Sequence, residues 1–126
     1  MTPSDKVKAA IAAFEGVAWS NASDPYPDPD EPSCIHPGWV KFGLVKTELG
    51  WRTLEFLAWA ITDMVSAGER IEFFPTAPPP HLNDPGDCLS FVIEIHPKDN
   101  DQELRFARIA EFLKDLREEY WTSCKP

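Results

Sequence analysis

No lysine or arginine occurs between Ala9 and Val40, and none occurs between Ile71 and Pro97. The first gap holds five acids (Glu15, Asp24, Asp28, Asp30, Glu31) and the second holds four (Glu72, Asp84, Asp87, Glu94). Elsewhere acids and bases balance, so the formal net charge of −9 resides in these two segments. Such a surface repels nucleic acid and anionic membrane and attracts basic proteins. No apolar run approaches the ~20 residues that cross a bilayer. The opening residues, MTPSDKVKAA, have no long apolar run followed by a cleavage site, so no secretion signal is expected. Cysteine is scarce: Cys34, Cys88 and Cys124 are odd in number, far apart and free of any C-x-x-C pair. That pattern belongs to a reducing compartment, and a cytoplasmic location is expected. A glycine-rich phosphate loop, a G-x-S-x-G elbow and an H-E-x-x-H helix are all missing. No internal repeat is visible.

What remains is ample for a core. The 126 residues are read as a single domain over 1–126, large enough to fold without disulfides or metal. The apolar content and five tryptophans exclude intrinsic disorder. By size and acidity alone the chain is similar to bacterial immunity proteins, antitoxins and secretion chaperones, a likeness that carries no residue with it.

The chain is organised around a helix predicted over 48–68. At 100° per residue, Trp51, Leu54, Leu57, Ala58, Ile61, Met64 and Val65 fall within an arc of roughly 140°, the expected core stripe. On another side Arg52, Phe56, Trp59 and Asp63 share an arc of roughly 60°. Two large aromatics framed by a cation and an anion need a cover. Either a second layer of the same domain supplies it or a partner does. Of the two rings, Trp59 is expected to be the more exposed and Phe56 the more packed.

The other elements follow in order. A short first helix is capped by Ser4, buries Val7, Ala10, Ile11 and Phe14, and stops at Gly16. Residues 20–38 contain five prolines and read as a long, stiff loop. Trp39 to Val45 alternates as a strand with Val40, Phe42 and Leu44 inward. After the central helix, Arg70 to Phe74 forms a second strand. A second proline-rich loop then runs to Asp87. Cys88 to Ile95 forms a third strand with Leu89, Phe91, Ile93 and Ile95 inward and Ser90, Glu94 and His96 outward. It pairs with the second strand as a long-looped hairpin. Asp99 or Asn100 caps a last helix whose stripe runs from Phe106 to Tyr120. The order α-β-α-β-β-α implies an α+β fold, a small, mostly antiparallel sheet with helices packed on it.

Chemistry is thinly signalled. Cys34, His36, His81, Cys88 and His96 could converge on zinc only if the two loops meet, and no paired half-site supports that. Asp24, Asp28, Asp30 and Glu31 lack the spacing of a calcium loop. No metal and no cofactor is expected, and no catalytic residue is assigned. Two functions of different class remain. In the first, the chain is a non-catalytic protein-binding module for a basic partner. Asp24, Asp28, Asp30 and Glu31 steer the partner, and Arg52, Phe56, Trp59 and Asp63 anchor it or a second copy of the chain. In the second, the proline loops line a small-molecule site or an active site, with His36, Trp39 and His81 as contacts. A cavity closed by both loops would favour the second, and an acidic face without one the first.

Overall fold

The structure, a computed structural model, describes residues 1–77, 88–97 and 101–126. Among the described residues three helices and six strands follow one another as α1 (Pro3–Ala12), β1 (Val17–Ser23), β2 (Tyr26–Pro27), β3 (Ile35–His36), β4 (Gly38–Val45), α2 (Glu48–Ser66), β5 (Ile71–Pro75), β6 (Cys88–Ile95) and α3 (Gln102–Cys124). This is an α+β fold with the expected order of helices and strands, enlarged by β1, β2 and β3 ahead of β4. The expected cap at Asp99 or Asn100 and most of the second proline loop lie outside the described residues.

The main sheet has the order β1-β4-β6-β5, antiparallel throughout. Strand β6 therefore lies between β4 and β5, which run parallel to each other, and β4-α2-β5 is a crossover unit split by a central strand. Alternation decides the two faces. Val40, Phe42 and Leu44 of β4 stand level with Ile93, Phe91 and Leu89 of β6, and this side packs against the helices. Trp39, Lys41, Val92 and Glu94 point to the other side.

Strand β1 is a departure from the sequence reading, which ran a loop from Ser20. None of the prolines falls inside Val17–Ser23, so nothing there prevents pairing with β4. Its Trp19 lies across Gly43, where an added Cβ would stand 2.6 Å from Cε2 of the indole. The glycine is what lets the ring come so close to the strand.

Helix α1 is capped by Thr2 rather than Ser4. Thr2 Oγ1 accepts the Asp5 N–H while the Asp5 carboxylate accepts the Thr2 N–H, a reciprocal capping box. Ser4 is instead buried and donates its hydroxyl to the Ser23 carbonyl at 2.8 Å. Val7, Ile11 and Phe14 reach the core as expected.

Helix α2 is turned relative to its predicted stripe. Gly50, Thr53, Phe56, Leu57, Ala60, Ile61 and Met64 are buried, whereas Trp51, Ala58 and Val65 are exposed. At 100° per residue the buried arc is displaced by roughly 80°. The cause is that two neighbours, the sheet and α3, both claim the helix. Phe56 is closed in by Phe14 and Trp121, with ring centroids 5.4 Å away in each case. The helix closes at Ser66 with Ala67 as its cap, and Gly68 just beyond turns the chain away with a φ of 105° that suits a residue without a side chain. No helix among the described residues is long and apolar enough to cross a membrane.

Candidate functional site

Of the four α2 residues singled out from the sequence, three reach the surface. Phe56 is 3 % exposed and belongs to the core, so little of its ring is left for a partner to touch. The cover comes from this chain itself, from Phe14 in the turn after α1 and Trp121 of α3. Trp59, by contrast, is 44 % exposed. Its ring meets Phe56 at 5.3 Å and 74°, and Tyr120 of α3 at 5.6 Å and 86°, both edge to face. Two edge-on contacts hold the indole in one orientation while leaving part of it uncovered.

Charge frames the ring as the helical spacing implies. Arg52 donates to Glu55 at 3.1 Å on the exposed side of the helix, so its charge is already matched. Asp63 has no cationic partner among the described residues. A cleft of about 460 Å³ beside Trp59 is lined by Arg52, Glu55, Phe56 and the last residues of the chain, Ser123 to Pro126. A second, also about 460 Å³, is lined by Asp63, Met64, Ala67, Glu69, Arg108 and Phe112. Both clefts lie along the seam between α2 and α3.

The acidic quartet divides. Asp24 accepts the backbone N–H of Ser4 at 2.8 Å and is committed to the start of α1. Asp28 accepts the N–H groups of Asp30 and Glu31 at 2.8 and 3.2 Å and lies 2.9 Å from Nε2 of His36. These contacts hold the Asp28 carboxyl below its ordinary range, the Asp30 N–H contributing most and His36 next. Asp30 and Glu31 are exposed, and they are the members of the quartet left facing solvent.

The second reading placed His36, Trp39 and His81 in one pocket. His36 pairs with Asp28 and stacks on Tyr26 at 4.6 Å, pinning the β2–β3 ribbon. Trp39 lies on the far sheet face with Lys41 Nζ 4.5 Å above its ring. His81 is outside the described residues. A third cleft, about 470 Å³ between α1 and α3, is lined by alanines and by Lys6, Lys114 and Arg117. Neither His36 nor Trp39 lines any of these three clefts.

One grouping escaped the sequence reading. Glu72 of β5 stands directly opposite Glu94 of β6, and the ligand atoms of Glu72, Glu94 and His96 lie within 4.8 Å of one another. The outward positions of Glu94 and His96 were legible from alternation. Their union with Glu72 depends on strand register, for which the sequence carries no signal. Trp121 and Tyr120 were likewise not seen as the partners of Phe56 and Trp59, because helix contacts across the chain are set by tertiary packing.

Comparison with known proteins finds no match: no family model, curated protein or solved structure is significantly similar to this chain.

Proposed function

We propose that the protein is a non-catalytic binding module that seats a basic segment of a partner protein along the α2–α3 seam. The observation that carries this reading is the state of Trp59. A large aromatic side chain, oriented by Phe56 and Tyr120 yet 44 % exposed, offers apolar contact area with little ordering left to do. Asp63 beside it gives an unmatched carboxylate for a lysine or arginine. The net charge of −9, with Asp30 and Glu31 exposed, adds long-range attraction for a cationic surface. Three cysteines, odd in number, far apart and without a C-x-x-C pair, support a reducing, cytoplasmic setting. The same seam can also receive a second copy of the chain.

The test compares two neighbours. Phe56→Ala should destabilise the protein by ~3–5 kcal/mol, as for a buried aromatic. Trp59→Ala should cost clearly less in thermal or chemical denaturation. It should nevertheless abolish capture of the partner that the parent protein retains, or convert a dimer to a monomer in size-exclusion chromatography. Unchanged association of Trp59→Ala, together with a stability loss equal to that of Phe56→Ala, would make Trp59 ordinary core and remove the proposal.

A further inference from the structure

We propose that Glu72, Glu94 and His96 form a binding site for a divalent transition-metal cation of the zinc type, on the sheet face opposite the helices. Glu72 of β5 is the register partner of Glu94 of β6, and His96 follows Glu94 by two residues, just past the end of β6, with its ring nitrogen 3.7 Å from Glu72. Two carboxylates placed directly opposite each other repel, and like pairs at such positions weaken a sheet. Among the described residues neither one is paired with a lysine or arginine, and the group beside them able to carry positive charge is His96, 3.7 Å from Glu72.

His96 does not resolve the repulsion by itself. Its Nε2 stands 3.7 Å from Glu72 Oε1, beyond hydrogen-bonding range. That nitrogen is shielded from solvent and has no hydrogen-bond partner among the described residues. A buried ring nitrogen without a partner, beside two carboxylates, is the arrangement that a shared cation satisfies. Tetrahedral zinc with bonds of about 2.0–2.2 Å places its ligand atoms roughly 3.4 Å apart. The separation of 3.7 Å and the overall spread of 4.8 Å close to that by small side-chain rotations.

The donor set selects the ion. One imidazole nitrogen with two carboxylates suits zinc and its divalent neighbours, because imidazole favours them over magnesium. Calcium takes six to eight oxygens, more than these side chains supply. Copper(I) prefers sulfur. Three protein ligands leave one position of the tetrahedron for water or an outside group.

The experiment titrates the chelator-treated protein with zinc chloride by isothermal calorimetry, and follows the His96 ring nitrogens by NMR. The expected result is one equivalent bound, a shift confined to Nε2 of His96, and a higher melting temperature with zinc. Glu72→Gln and His96→Gln should each weaken binding at least ~10-fold. A variant with all three cysteines changed to serine should bind as the parent does. Glu72 is exposed, so Glu72→Gln keeps the test valid even if His96→Gln fails to fold. Absence of binding, or binding that survives Glu72→Gln and His96→Gln, or binding lost with the cysteines, would each overturn the site. Partner capture through Trp59 plays no part in any of these readouts.

Discussion

The carboxylate of Asp24 accepts the backbone N–H of Ser4 at 2.8 Å, joining two points twenty positions apart in the chain. The first N–H groups of a helix have no partner within it, and here the residue just after β1 supplies one. Ser4 answers by donating its hydroxyl to Ser23, so the contact is double.

Asp24→Ala should therefore cost ~0.5–2 kcal/mol, the range for loss of a helix cap. Asp24→Asn, which keeps an oxygen in place, should lose less. Urea denaturation of the two variants checks both. Equal losses would show that the charge, rather than the hydrogen bond, is what matters at this helix end.

Arg105 is the one charged residue buried among the described residues. Its guanidinium, 6 % exposed, bonds Glu69 at 2.6 Å and Asp101 at 3.0 Å, and Glu69 also holds Arg108 at 2.9 Å. The hydrogen bond to Asp101 leads in raising the Arg105 pKa, against the opposing effect of burial. The charge is thus permanent. Arg105→Ala should destabilise by ~3–5 kcal/mol, because it removes the buried partner of Glu69, whose side chain is itself largely out of water, and leaves it only the exposed Arg108. Arg105→Lys should recover only part, since an ammonium group cannot span both carboxylates as the planar fork does. Chemical denaturation with a double-mutant cycle against Glu69→Gln measures the coupling.

Asp28 gives a pH signature. Its folded pKa lies below the ordinary value of 3.8, so the folded state favours the ionised form. The stability it contributes is fully present above pH ~4 and declines as pH falls through the ordinary value toward the folded one. NMR titration of the Asp28 carboxyl should show a midpoint below 3.8. Asp28→Asn should remove this acid-sensitive component and loosen the stack of His36 on Tyr26. A midpoint at or above the ordinary value would mean that the turn contacts do not persist in solution.

The architecture was legible wherever one periodicity answered to one neighbour. Strand β4 alternates cleanly because a single face meets the helices, and Val40, Phe42 and Leu44 are buried just as their spacing implies. Helix α2 was legible as a helix but not in its orientation. Thr53 is fully buried although polar, its hydroxyl donating to the Leu49 carbonyl at 2.8 Å, while Trp51 remains half exposed. Hydrophobicity ranks those two the other way round. Gly50 lies close against the Val45 backbone and Thr53 against Gly16, and those close approaches help decide the buried side. Strand β1 was missed because VAWSNAS has little apolar alternation and draws its stability from β4. Of the candidate site, Trp59 could be read from its helical position. The Glu72–Glu94–His96 group could not, since no local rule states which residues of two strands lie opposite.

The place of β6 between β4 and β5 governs how the chain reaches its fold. Until Cys88–Ile95 is in position, β4 pairs on one side only and β5 has no strand beside it. A chain emerging from synthesis thus displays two unmatched backbone ladders for the time it takes to add β6, and such ladders pair readily with other chains. The β4–β6 pairing also joins segments about fifty residues apart, and contacts of that separation slow folding. Docking of β6 is accordingly the step that converts a β1–β4 hairpin with loosely attached helices into a four-stranded sheet. A fragment ending before Cys88 would retain α1 and α2 but lack the strand that binds the two halves together.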